Sequence, residues 1–433
     1  MLTPPPAACR PRPVPRFIHT ADIHLDSPLR GLSAYQDAPA ERLRGASREA
    51  FSALVTRAID ERIDFIVIAG DLYDGDWPDF NTGLYFCAEM GRLQRAGIPA
   101  FVLHGNHDAE SQMTRALRLP DNVRVFAANA CQTHVIEPLR VALHGRSFRQ
   151  AATTDNLVTG YAAPLRDHVN IGVLHTALEG HAEHPRYAPC TLAELQAKGY
   201  EYWALGHVHE HALWPGPSTI CFPGNLQGRS VRECGPRGAV LVEIDGPGAQ
   251  ARVERLTIDV LRWEHLRLDV SGCADLAAVG LASGRALGRL LDVDGQVPRA
   301  VRLTLHGRTA AHGALFARAT ELRAQVLAEI AAIGPERLWL EKLRLETQPD
   351  QGPATDDGPL GADALADLAA LLQEARDDAV LREALRTDFA QLLGKAPDLA
   401  TELPLLRQVR DGELDAVFDQ VLPGLIARLA SAA

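Results

Sequence analysis

Phe65-Ile66-Val67-Ile68-Ala69-Gly70-Asp71 is the stretch that decides the fold. Its apolar run is too short for a helix, is rich in β-branched residues and shows no polar alternation, so it reads as a strand buried on both faces. The glycine allows close backbone approach, and a lone carboxylate follows it. The same design recurs along the chain. Phe17-Ile18 leads to Asp22-Ile23-His24, and Phe101-Val102-Leu103 leads to Gly105-Asn106-His107-Asp108. Ile171-Gly172-Val173-Leu174 ends on His175, and Trp203-Ala204-Leu205 leads to Gly206-His207-Val208-His209. Between the runs lie amphipathic stretches, as in residues 40–62, where Leu43, Ala46, Ala50, Leu54, Ala58 and Ile59 share one helical stripe. From Arg16 to about Asp259 the alternation predicts an α/β sandwich. Polar clusters at the carboxyl ends of its strands stand where open α/β sheets place their sites.

These clusters hold residue types that ligate hard or borderline divalent ions. Asp22 and His24 are two apart, as are His207 and His209, and extended backbone would project each pair to one side. Asp71 offers two oxygens able to bridge two ions, Asn106 a neutral carbonyl oxygen and His175 another imidazole. A set of oxygen and nitrogen donors without thiolate suits Mn²⁺, Fe²⁺, Mg²⁺ or Zn²⁺, with Mn²⁺ the preferred choice. Two such ions about 3.5–4 Å apart polarise a phosphoryl oxygen and offset the charge of an in-line displacement. His107 is then a candidate catalytic residue, placed to donate to the leaving oxygen, with Asp108 orienting it or its loop. Asp74 and Asp26 are outer candidates. His19 and His104 read as core histidines inside apolar strands, and His181, His184 and His211 as surface residues. The turn-rich stretch Pro223 to Ser230, followed by Arg232, would carry substrate phosphate contacts through Arg229 and Arg232. An ordinary turn explains it equally well.

Composition sets outer bounds. The chain of 433 residues is long enough for two or three domains. Its net charge is −11, but residues 350–433 carry sixteen Asp/Glu against seven Lys/Arg, so the acidity belongs to the tail. Such a balance argues against a protein that coats nucleic acid electrostatically. It does not exclude an enzyme whose cations and local arginines hold a phosphate chain. Seven scattered cysteines, with no Cys-x-x-Cys pair, fit a reducing compartment better than a thiolate site. The Pro-rich residues 1–15, read as disordered, lack the apolar segment of a secretory signal, and no run approaches the ~20 apolar residues of a membrane span. A cytoplasmic protein without membrane association is expected.

Residues 260–347 predict a small α/β cap domain. Strands fall around Leu266, Leu268 and Val270, around Val301, Leu303 and Leu305, and from Leu338 to Leu345 with a register break after Leu340. Helices fall over 274–291 and 309–333. Residues 348–362 read as a linker and 363–433 as a helical C-terminal appendage, with stripes of Leu365, Leu368 and Leu372, of Leu381, Leu385 and Phe389, and of Leu414, Phe418, Val421 and Leu425. Such an appendage either binds a partner or packs on itself.

The ordered set Asp-x-His, Gly-Asp, Gly-Asn-His-Asp, His and Gly-His-x-His resembles the calcineurin-like metallophosphoesterase superfamily. The longer strings Phe17 to Leu29, Gly70 to Asp74 and Phe222 to Arg229 resemble the YhaO-type DNA repair exonucleases, relatives of the SbcD nucleases. The resemblance implies a four-layer α/β/β/α sandwich over residues 16–259. It also implies one metal held by Asp22, His24, Asp71 and His209, another held by Asp71, Asn106, His175 and His207, and His107 as the transition-state histidine. By the same resemblance the protein would be a Mn²⁺-dependent DNA exonuclease, with endonuclease activity besides, acting in repair with a coiled-coil ATPase of the SbcC or YhaN kind. A homodimer is compatible with it. A phosphoprotein phosphatase or cyclic-nucleotide phosphodiesterase would use the same centre, and a non-catalytic scaffold is the remaining alternative.

Overall fold

The computed structural model describes residues 14–27, 40–74, 81–110, 117–178, 187–292, 297–350, 362–395, 404–410, 412–415, 417–418, 421–422 and 425. The Pro-rich start to residue 13, linker residues 351–361, His181 and His184 lie outside the described residues. The chain divides into two compact units, Met1–Glu264 with Val297–Ala300, and His265–Gln296 with Val301–Ala433.

Two six-stranded sheets build the first unit. In one, β1 (Arg16–Thr20), β2 (Phe65–Ala69), β3 (Ala100–Leu103) and β4 (Val123–Val125) run parallel. The other has the order β5 (Gln132–Ile136), β6 (Val141–Gly145), β7 (Val169–His175), β8 (Tyr202–Gly206), then β10 (Thr219–Phe222) inside β9 (Ala212–Trp214). Its strands β6, β7, β8 and β10 are parallel. The first sheet is completed on the far side of β1 by antiparallel β11 (Gly238–Glu243) and β12 (Arg252–Thr257).

The apolar run of β2 shows why the sheets stack. Phe65, Val67 and Ala69 enter a core shared with Leu143, Val173 and Tyr202 of the second sheet. Ile66 and Ile68 point the other way, into a core shared with helix α1 (Ala40–Asp60) and helix α2 (Asn81–Arg95). Period-two alternation thus divides one run between two cores, and no position is left for a polar residue. Phe65 stacks on Phe17 at 4.7 Å between centroids and meets Phe101 edge-on at 5.9 Å. Of the predicted stripe of α1, Ala46, Ala50, Leu54 and Ala58 are buried and Ile59 is partly buried, while the side chain of Leu43 lies outside the described residues. The outer face of the second sheet gathers Trp203, Leu205 and Leu174 with Leu195 of a short helix (Leu192–Ala197) into a third core. The layers are therefore α/β/β/α.

In the second unit a three-stranded sheet takes the order β13 (Arg262–Asp269), β14 (Arg299–Thr309), β15 (Leu338–Pro349). Val270 lies just past β13, and Leu266, Leu268, Val301, Leu303, Leu305, Leu338 and Leu340 share one core with the helix Leu276–Asp292. The single helix expected over 309–333 is instead two, His312–Ala317 and Ala319–Ile333. Arg318, with φ −116° and ψ 35°, leaves the helical region between them, and no glycine or proline marks the break in the sequence. In the C-terminal helices Leu385 and Phe389 pack with Leu414 and Phe418, while Leu371, Val380 and Leu392 stay exposed.

Removing the ring at the centre of the inter-sheet core leaves a cavity. Phe65→Ala is expected to lower unfolding stability by about 3–5 kcal/mol in denaturant titration. A loss below about 1 kcal/mol would show that the sheets do not depend on this stack.

Candidate metal centre

The polar clusters leave the parallel strands at their carboxyl ends. Asp22 lies just past β1, Asp71 just past β2, Asn106 just past β3, His175 ends β7 and His207 follows β8. The extended projection expected of Asp22 and His24 does not hold, because their φ values are 49° and 45°; Asp71 (50°) and His207 (104°) are also left-handed. Each such non-glycine residue costs about 1–3 kcal/mol and persists only where its surroundings fix it. Here they do. Asp22 N donates to Gly70 O (3.0 Å), His24 N to Asp71 O (3.0 Å) and Leu25 N to Leu72 O (2.9 Å), so the two loops stay paired beyond their strands. Both Asp22 oxygens accept from His207 N at 3.0 Å.

The ligand-type atoms of Asp22, His24 and His209 lie within 4.8 Å of one another, and so do those of Asp71, His175 and His207. The two residues of the His-x-His pair thus serve different groups. Asp71 Oδ2 faces both, 3.4 Å from His175 Nε2 and 3.9 Å from His24 Nε2. Asn106 joins the second group, its Oδ1 3.0 Å from His175 Nε2. Space for this is made by Gly70 and Gly105. A Cβ on the first would collide with the His175 ring, and one on the second with the Asp71 carboxylate.

Whether these residues fit cations is decided by their outward bonds. His175 Nδ1 donates to Ala69 O at 2.9 Å, so Nε2 is the atom aimed at two oxygens. His209 Nδ1 lies 2.7 Å from Glu233 Oε1 and donates to it, which turns the Nε2 lone pair toward His24 Nε2, 3.3 Å away. His24 Nδ1, buried without a hydrogen-bond partner, stands 3.4 Å from Asp74 Oδ1. Lone pairs facing lone pairs need a proton or a cation between them, and an imidazole whose other nitrogen is tied to a carboxylate or carbonyl is oriented for a metal. The donor set fits two divalent ions. Burial opposes charge on His175, yet the adjoining Asp71 carboxylate outweighs it and raises that pKa to about 9. Burial raises Asp22 to about 6 and lowers His24 to about 3.

The remaining candidates separate by what they touch. His107 donates its backbone N–H to Asp71 Oδ1 (3.1 Å), and its Nδ1 lies 3.4 Å from Asp74 Oδ1, with 37% of the side chain exposed. Asp74 also accepts from Ser27 Oγ at 2.8 Å. Asp108, grouped with the catalytic residues as the orienter of His107 or its loop, acts on the loop as a positioning residue. Its carboxylate is spent on the backbone N–H groups of Leu72, Tyr73 and Gly105, at 3.2, 3.0 and 3.0 Å, and binds the Asp71 loop to the Asn106 loop. Asp26 is engaged by Arg48 at 2.6 and 2.5 Å rather than by the group. Arg229 reaches it, 3.5 Å from Asp74 and 3.4 Å from His209 Nδ1, whereas Arg232 is exposed. His19 is a core residue between Tyr202 Oη and Leu205 O, but His104 lies past β3 and is half-buried, as is His211. Sequence reasoning passed over Glu233. Its only signal was an acid four residues after Arg229 in a turn-rich stretch.

Residues 15–211 match the family of calcineurin-like phosphoesterases, which use a dinuclear metal site. Residues 263–348 match the family described as metallophosphoesterase YhaO, middle domain. The chain therefore carries a calcineurin-like metallophosphoesterase domain. More particularly, that domain is joined to a YhaO middle domain. An uncharacterized metallophosphoesterase YhaO of Bacillus subtilis is 31% identical over 61% of this chain and 65% of its own length. The DNA double-strand break repair protein Mre11 of Haloferax volcanii is 27% identical over 59% of this chain and 55% of its own. That of Halobacterium salinarum is 37% identical over 27% of this chain and 30% of its own. The chain thus spans less than two thirds of the length of each of these relatives. Among the described residues no helix is long and apolar enough to cross a membrane.

With the metal-free His175 raised to about 9, a cation must displace its proton at pH 7. Calorimetric titration with Mn²⁺ in buffers of different ionisation enthalpy should show proton release. Affinity should rise from pH 6 and level off above about 9. Binding heats independent of the buffer would contradict this ligand assignment.

Proposed function

We propose that this chain is a two-metal phosphodiesterase that degrades DNA, principally as an exonuclease with endonuclease activity besides, in DNA repair. The observation that carries the hydrolytic reading is the pair of adjoining buried groups, thiolate-free and bridged by Asp71, with His107 half-exposed beside them. A set of carboxylate, carboxamide and imidazole donors supports Mn²⁺ as the working ion. Support for DNA comes from the relatives whose names tie them to double-strand break repair.

Asp22, His24, His209 and Asp71 would hold one ion, and Asp71, Asn106, His175 and His207 the other. Bound there, two divalent ions supply charge that polarises a phosphoryl oxygen and favours in-line displacement. The chain's own contribution is orientation and proton handling. Asp74 takes the Nδ1 side of His107 and leaves Nε2 to reach the phosphate, where the imidazole donates to the oxygen that gains charge or departs. Asp108 keeps the Asp71 and Asn106 loops in register while this happens. We further assign a coiled-coil ATPase as partner, docked on the acidic C-terminal helices, whose exposed Leu371, Val380 and Leu392 offer apolar contact. All six described cysteines are free, in keeping with a reducing, cytoplasmic setting.

The test uses Mn²⁺ with end-labelled linear DNA, closed circular DNA and a phosphomonoester. Linear DNA should be shortened from its ends, and Asp71→Asn should abolish this. His107→Ala should keep Mn²⁺ binding and lose about 10²–10⁴-fold in turnover. Hydrolysis of the monoester alone would replace the nuclease with a phosphatase, and full activity in Asp71→Asn would refute the site.

A further inference from the structure

Glu233 has no part in the ligand groups, yet it is built into the wall behind one of them. Its Oε1 lies 2.7 Å from His209 Nδ1. Its Oε2 accepts from Arg229 N at 2.6 Å and from Asn225 Nδ2 at 3.0 Å. The second proton of the Asn225 amide goes to Gln227 O at 2.9 Å, and Asn225 N donates to His209 O at 3.1 Å. The turn from Pro223 to Glu233 is therefore folded around one carboxylate and the histidine it faces. Arg237, itself buried, closes the frame from behind by donating to His209 O at 2.6 Å and to Asn225 Oδ1 at 3.2 Å.

Two groups compete for His209 Nδ1. Arg229 Nη2 is 3.4 Å from that atom and can only donate, which would require Nδ1 to carry a lone pair. Glu233, at 2.7 Å, can only accept while ionised and requires Nδ1 to carry the proton. The shorter, charge-assisted bond prevails. The guanidinium then finds its partners in Asp74 (3.5 Å) and Glu233 (3.6 Å), one carboxylate behind His24 and the other behind His209. Arg229 joins the two supports.

We propose that Glu233 is a positioning residue of the metal centre. It fixes the Nδ1–H tautomer of His209, and with Asp74 it engages Arg229 as a tie between the supports of the two facing imidazoles. The turn-rich stretch is thus a support for a ligand, and Arg229 is committed to structure before any phosphate arrives. This rests on the reading of Asp22, His24 and His209 as cation ligands.

The test compares wild type, Glu233→Gln and Glu233→Asp by Mn²⁺ titration with electron paramagnetic resonance, and by ¹⁵N NMR of the metal-free histidines. Wild type should bind two Mn²⁺ that are magnetically coupled. Glu233→Gln should bind one of them about 10–100-fold more weakly and lose the coupled signal, and Glu233→Asp should recover part of the loss. His209 of wild type should show the Nδ1–H tautomer. Wild type without Mn²⁺ binding would sink the site itself. Two unaltered Mn²⁺ sites in Glu233→Gln would overturn only the role of Glu233. Should Glu233→Gln fail to fold, the wild-type spectrum still decides, since an Nε2–H tautomer of His209 is incompatible with the proposal.

Discussion

A carboxylate and an imidazole buried against each other, Asp71 and His175, set the terms for the first unit. Both are almost wholly withdrawn from solvent, and burying ionised groups is costly unless each is paired and hydrogen-bonded. Asp71 meets that demand with His107 N–H and His175, and His175 with Ala69 O and Asn106, while His24 Nε2 stands 3.9 Å from the Asp71 carboxylate. These partners come from β1, β2, β3 and β7 of two different sheets, so the sheets must stack closely and in one register. The Phe17–Phe65–Phe101 cluster between them secures the stacking. Gly70 and Gly105 are the concession the backbone makes, since a side chain at either position would occupy the pair's space.

The same constraint explains the strained backbone. Left-handed residues at Asp22, His24, Asp71 and His207 turn donors inward that a straight continuation of the strands would send past one another. Asp108 holds that geometry by accepting three backbone N–H groups, a use of charge that adds rigidity and no chemistry. Around the donors stands an outer ring of carboxylates and carbonyls, in which Glu233 and Ala69 O each fix one imidazole and Asp74 faces both His24 and His107. The chain's excess negative charge lies elsewhere, in the tail.

Much of this is legible in the sequence, for physical reasons. A strand buried on both faces must be nearly continuous in apolar residues, so Phe65 to Ala69 declares itself, and α1 shows its stripe because only one face is covered. The donor residues are legible because few other arrangements put so many polar groups directly after apolar runs. What stays hidden is set by backbone turns and by partners distant in sequence. Nothing in Asp22-Ile23-His24 announces two left-handed residues, and extended projection is the wrong reason for the two residues to meet. The roles of Asp108 and Glu233 depend on which N–H groups and which imidazole come to lie beside them after folding. The break at Arg318 has no local signal, since Ala-Arg-Ala favours a continuous helix.

The most direct measurement is anomalous diffraction at the manganese edge from crystals of the full chain grown with Mn²⁺. Two peaks are predicted, one among Asp22, His24 and His209 and one among Asp71, Asn106, His175 and His207, with Asp71 touching both. A single peak, or peaks away from these residues, would contradict a two-metal centre shared through Asp71.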